Sequence, residues 1–127
     1  MFSHVMLGAD DIAASKTFYD AALGALGAPA GVVDEWGRVV YMHGGGRFLL
    51  TRPIDGAPAS HGNGSTLGFG AASTAAVDAW HEAGLANGGT ACEDPPGVRE
   101  GTANRRLYLA YLRDPAGNKL CATHRVA

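Results

Sequence analysis

An internal repeat constrains this chain more than any other feature of its sequence. When the chain is slid along itself so that His4 falls on Thr66, His4-Val-Met-Leu-Gly-Ala lies over Thr66-Leu-Gly-Phe-Gly-Ala. In the same register Ala13-Ala14 meets Ala75-Ala76, Ala21 meets Ala83, Leu23 meets Leu85 and Gly27 meets Gly89. The expected elements coincide as well, which chance identities of alanine and glycine would not produce. A repeated supersecondary unit that cannot close a core alone must pack against its copy.

Each copy opens with a short apolar strand, Ser3–Gly8 or Ser65–Gly70, and passes through a polar cap into a helix. Asp10-Asp11 and Ser73-Thr74 supply the capping oxygens. Near-3.6 spacing turns Ile12, Tyr19, Leu23 and Leu26 inward from the first helix and Val77, Trp80 and Leu85 from the second. Gly24–Gly27 and Asn87-Gly88-Gly89 stop them. Strand signals follow at Gly31–Asp34, Arg38–His43 and Arg47–Thr51, divided by Glu35-Trp36-Gly37 and Gly44-Gly45-Gly46. The second copy gives Thr90–Glu93, Arg106–Leu112 and Lys119–Thr123, with Asp114–Asn118 as a hairpin turn.

Each copy therefore reads β-α-β-β-β, as module one (1–52) and module two (65–127) joined by a linker (53–64) in one domain. Asp94–Arg105 reads as a loop long enough to suspect function. Two such units predict an α+β fold in which a curved mixed sheet of about eight strands carries helices outside and a concave cup inside. Such a cup is a natural small-molecule site.

Composition narrows the function. Ten Lys+Arg against twelve Asp+Glu leave a formal charge of −2, which argues against nucleic-acid or anionic-membrane surfaces. No apolar run approaches the roughly 20 residues of a spanning helix. The start lacks a signal-peptide pattern, and Cys92 and Cys121 stand outside any Cys-x-x-Cys motif. A cytoplasmic location is expected.

Three stretches, Ser3-His-Val-Met-Leu-Gly-Ala-Asp-Asp-Ile, Ser15-Lys-Thr-Phe-Tyr and Tyr111-Leu-Arg-Asp-Pro-Ala-Gly-Asn-Lys-Leu, resemble the vicinal-oxygen-chelate superfamily. That group includes glyoxalase I, bleomycin-resistance proteins, fosfomycin-resistance enzymes and extradiol dioxygenases. The last stretch, with its aromatic-x-x-Asp-Pro-x-Gly-Asn hairpin, is the most specific. The resemblance implies a homodimer and one divalent metal (iron, nickel, manganese or zinc) held by the first and last strands of each module. Carried across, those positions fall on His4, Leu49 or Leu50, Thr66 and Cys121. Only His4, with Cys121 as an unusual substitute, can ligate, and the carboxylate base of glyoxalase-type proton transfer is missing.

Strand parity puts His4, Met6 and Gly8 on one face, Thr66, Gly68 and Gly70 on one face, and Cys121 with Thr123. His4 is either a cup contact or a half-buried strand histidine bonded to backbone. The glycines beside Thr66 either admit a ligand or mark a close strand crossing. Cys121 is either reactive or a small buried apolar group. The resemblance turns Tyr111 toward the cup and leaves Tyr108 on the opposite face. Arg99, Arg105 and Arg106 could clamp an anion or simply be solvated. Gly68-Phe-Gly70 and the Gly44–Gly46 run are not phosphate loops, because the residues that complete those motifs are absent.

The expected function is a glyoxalase/bleomycin-resistance-like protein binding an apolar or carboxylated small molecule. Its ligand-binding residues would be His4, Met6, Thr66, Tyr111 and Cys121, its metal site degenerate and its catalytic residues undefined. The alternatives are a divergent metal-dependent lyase or dioxygenase acting on a vicinal-oxygen substrate, and a ligand-free scaffold.

Overall fold

The computed structural model describes every residue from Met1 to Ala127. The first half runs β1 (Val5–Gly8), α1 (Ile12–Gly24), β2 (Val32–Val33), β3 (Val39–His43) and β4 (Gly46–Thr51). The second runs β5 (Leu67–Gly70), α2 (Thr74–Ala86), β6 (Thr90–Ala91), β7 (Gly97–Glu100), a 3₁₀ turn at Thr102–Asn104, β8 (Arg106–Arg113) and β9 (Lys119–Arg125). The fold is α+β, as the repeat predicts.

The helices begin where local chemistry places them. Asp11 accepts from the Ala14 N–H at 3.0 Å, and Ser73 accepts from the Ala76 N–H at 3.1 Å. Both helices end by folding the chain back on their own carbonyls. Ala28 N–H reaches Leu23 O and Gly89 N–H reaches Gly84 O, with Gly27 and Gly88 in the left-handed region.

Hydrogen bonding divides the strands into two mixed sheets. One is ordered β1-β4-β3-β2; the other is β5-β9-β8-β6, with β7 also on β8. In both, the opening strand lies parallel to the last, Val5 beside Phe48 and Leu67 beside Leu120. The sheets meet along a seam without ladder hydrogen bonds, and side chains hold it instead. A core of 16 buried residues draws on both helices and both sheets. Aromatic rings continue it across the seam, Tyr19 to Phe48 at 4.8 Å and Phe48 edge-on to Phe69 at 5.8 Å.

The hairpin turn singled out in the sequence acts as a clasp. Asp114, 3% exposed, accepts from the Tyr19 hydroxyl of α1 at 2.5 Å and from the Asn118 N–H and side-chain amide at 2.9 Å. That amide also donates to the Gly8 carbonyl at the end of β1. A motif of the second half thus satisfies buried polar groups of the first.

Two sequence expectations are corrected. Leu85 is 42% exposed, because α2 instead turns Gly84 into the helix crossing. A Cβ on Gly84 would lie 2.3 Å from Leu112 Cδ1 and 3.0 Å from the Phe18 ring. The expected loop Asp94–Arg105 contains β7, whose backbone is ordered by pairing with Arg106–Leu109 of β8. Tertiary pairing there overrides a weak local signal.

Candidate functional site

Because the two sheets share no ladder, the seam leaves a cavity of about 760 Å³ near the starts of β1 and β5. Its size suits a small-molecule ligand. His4, Arg47, Thr66 and Gly68 line it from the sheet faces turned away from the helices, while Phe48, Phe69, Leu23 and Leu26 line it from the helix side. The β3–β4 turn borders it with His43 and Gly44. Gly44 and Gly45, at φ 57° and 80°, allow this two-residue turn.

The five expected ligand residues occupy two places. His4 and Thr66 lie just ahead of β1 and β5 and both line the seam cavity. His4 Nδ1 is 2.8 Å from Ser3 Oγ. Met6 follows on the same face of β1, 39% exposed, but does not line the cavity. Tyr111 and Cys121 are direct partners across β8 and β9, also outside it. Gly68 lies beside Cys121 on the other flank, where a Cβ would come within 3.2 Å of Sγ. Tyr108 lies one residue earlier than Leu109 on the opposite face and donates to Asp78 at 2.7 Å.

The ladder between β1 and β4 separates the faces of Leu49 and Leu50. Leu49 pairs with Met6 and shares its face, while Leu50 belongs to the core. The positions carried across on the family resemblance are then His4, Leu49, Thr66 and Cys121, with no carboxylate among them. Nowhere do three or more His, Cys, Asp or Glu side chains gather in a ligating group. Burial first, and Glu93 second, push the Cys121 thiol up, with Lys119 opposing. A divalent ion needs three or four donors and a thiolate where cysteine takes part. These residues do not fit such an ion.

Two features escape sequence reasoning. Glu93, expected as the end of a strand, sits at φ 56° between β6 and β7 and reaches the Lys119 ammonium. Lys119 in turn lies 5.0 Å over the Tyr111 ring. Burial, Glu93 and Cys121 raise the Tyr111 phenol, against Lys119 and Arg99. The lysine–tyrosine contact could have been suspected from the β8–β9 pairing, but the backbone reversal at Glu93 has no local signature. Arg47 is the second feature, and its alternation with Leu49 on β4 was the available signal. Of the arginines bordering the expected loop, Arg99 donates to the Pro95 carbonyl at 2.8 Å and Arg106 pairs with Glu100 at 3.2 Å.

Comparison with known proteins agrees with this architecture. A family model described as Glyoxalase/Bleomycin resistance protein/Dioxygenase superfamily matches residues 1–122. A crystal structure of a glyoxalase/bleomycin resistance protein from Albidiferax ferrireducens is 59% identical. It superposes with a TM-score of 0.94, covering 98% of this chain and 99% of that one. A family enzyme from Burkholderia phytofirmans shares 21% identity at a TM-score of 0.72, covering 95% of each chain. A lactoylglutathione lyase from Agrobacterium tumefaciens shares 22% at 0.65, covering 97% and 92%; these last two speak to the fold alone. A search of curated proteins finds no match. No helix is long and apolar enough to cross a membrane. With two halves that each open on a strand and a helix and end on antiparallel strands, the clasping hairpin and the family match across 1–122, the chain belongs to the glyoxalase/bleomycin resistance protein/dioxygenase superfamily.

Proposed function

We propose that this chain is a small-molecule-binding protein of the glyoxalase/bleomycin-resistance type whose ligand occupies the seam cavity. Binding there does not depend on a metal at the family ligand positions. The observation that carries the reading is the pairing of a ligand-sized, largely apolar cavity with a donor set of His4, Leu49, Thr66 and Cys121. The cavity offers transfer of apolar surface out of water, whereas the donor set offers neither a carboxylate base nor a chelating group. The protein would work in the cytoplasm, as its composition suggests, and as a homodimer, as the family resemblance implies. Tyr111, Cys121 and Met6 would then border the site from the adjoining sheet face.

The test is a fluorescence titration with N-phenylnaphthylamine, an apolar uncharged probe, with and without excess chelator. The expected result is saturable binding with the same affinity in both. Loss of binding on chelation would overturn the metal-independent reading and favour a lyase or dioxygenase of the same fold.

A further inference from the structure

The seam cavity has an electrical character that the family ligand positions do not explain. Its lining holds Arg47, His4 and His43 but no aspartate or glutamate. Of the ten basic side chains, all but Arg47 and Arg105 are engaged. Lys16, Arg38, Arg106 and Lys119 pair with carboxylates. Arg52, Arg99, Arg113 and Arg125 donate to backbone carbonyls. Arg105 lies beside the 3₁₀ turn and outside the cavity. Arg47 is thus the one guanidinium that both lines a cavity and has its donors free.

The carboxylate that the lining residue Tyr41 contacts is already committed. Tyr41, a lining residue, donates to Asp20 at 2.8 Å, and Lys16 at 2.6 Å and the Gly31 N–H at 2.9 Å complete its partners. The negative end of α1 is also closed. The Ala25, Leu26, Gly27 and Ala28 N–H groups cover the carbonyls of Ala21, Leu23 and Gly24. At that end of the cavity Leu23, Leu26 and Ala28 contribute hydrocarbon side chains. A free planar fork of donors at one wall and apolar side chains at another match a molecule with a charged head and an apolar body.

We propose that the seam cavity takes an amphipathic monoanion, an apolar body with a carboxylate or sulfonate head bound by Arg47. The inference rests on the small-molecule reading above and adds the class of the ligand. The head accepts from the Arg47 guanidinium, and the body lies among Leu23, Leu26, Phe48 and Phe69.

Two probes with the same ring system separate the contributions: anilinonaphthalene sulfonate carries the anion, and N-phenylnaphthylamine does not. Both are titrated onto the full chain and onto Arg47→Gln, an exposed substitution that leaves the core untouched. The sulfonate is expected to lose about tenfold in affinity in Arg47→Gln, while the uncharged probe is unchanged. Phenylbutyrate should displace either probe more effectively than phenylbutanol does. Ala28→Trp, which fills the apolar end, should abolish binding of both probes. If Arg47→Gln leaves the sulfonate unaffected, or weakens both probes equally, the anion inference fails and the small-molecule reading stands. If the sulfonate still binds Ala28→Trp, it sits elsewhere and the inference fails. If neither probe binds the unaltered chain, because a second copy or the chain's own side chains occupy the cavity, both readings fail.

Discussion

The two halves of this molecule share a β-α-β-β-β frame, to which the second adds β7 and a 3₁₀ turn, and they use their charged groups differently. In the first half, Arg47 stands without a partner on the face of β4 turned away from the helices and His4 stands ahead of β1, both on the seam cavity. In the second half, the matching region near β9 is self-contained. Glu93 is spent on Lys119, Lys119 covers the Tyr111 ring, and Cys121 is buried beside Gly68. His4 and Thr66 occupy equivalent places in the repeat, as their shared register implies, but only His4 offers a ring nitrogen. Duplication supplies the scaffold twice, and the open charge that could recognise a ligand survives on one copy.

The comparison breaks most severely at the clasp that couples the halves. Asp114→Ala leaves the Tyr19 hydroxyl and the Asn118 amide without their acceptor in a buried setting. It should cost about 3 kcal/mol or more in urea unfolding. Asn118→Ala, which removes one link to Gly8, should cost less. A value near zero for Asp114→Ala would mean that the apolar seam alone holds the halves together.

Gly84→Val tests the helix crossing between them. The added side chain would meet Leu112 and Phe18 in a packed core, for an expected loss of about 2 kcal/mol. The gain in helix propensity over glycine, under 1 kcal/mol, does not offset this. Retained stability in thermal unfolding would show that α1 and α2 can separate cheaply.

These two sites also show how much was legible in advance. The caps at Asp11 and Ser73, the glycine stops and the Asp114–Asn118 turn follow from local chemistry, and all occur where the residues place them. Gly84 was not legible as a crossing point, because periodicity marks large apolar residues and a missing side chain leaves no mark; Leu85 was assigned inward instead. β7 was missed since Gly-Val-Arg-Glu, flanked by Pro95, Pro96 and Gly101, has strand conformation only through its ladder to β8. The choice between Leu49 and Leu50 depended on register, which two adjacent leucines cannot reveal. The cavity was least legible of all, because it arises from a gap between sheets that no segment encodes by itself.

A smaller effect distinguishes the first half through pH. Burial raises the Asp20 carboxyl, but hydrogen bonds from Lys16, the Gly31 N–H and Tyr41 outweigh it and hold the group below the usual carboxylate range. A depressed folded pKa stabilises the protein above the unfolded value and is lost as pH falls through the folded one. Burial, and then the bond to Asp20, push the Tyr41 phenol far above its ordinary value. That contribution is complete below the unfolded phenol pKa and is lost as pH rises beyond it. Asp20→Asn should therefore lower stability by about 1 kcal/mol at neutral pH and flatten the acid limb of the profile. An unchanged acid limb would remove Asp20 from the account.

The smallest expected effect lies in the second half. Glu93→Gln removes a negative charge facing Cys121 and releases Lys119. The thiol pKa should fall, and alkylation by iodoacetamide at pH 8 should speed up by about threefold. No change would place Glu93 outside the field of the thiol.

The central claim is that this superfamily member binds a small molecule without a metal at its family ligand positions. Metal content of tag-free protein tests it most directly, by mass spectrometry after incubation with Fe²⁺, Ni²⁺, Mn²⁺ and Zn²⁺ and desalting. The account predicts far less than one metal ion per chain under every condition, and no difference between the unaltered protein and His4→Ala. A content near one ion per chain that disappears in His4→Ala would contradict it.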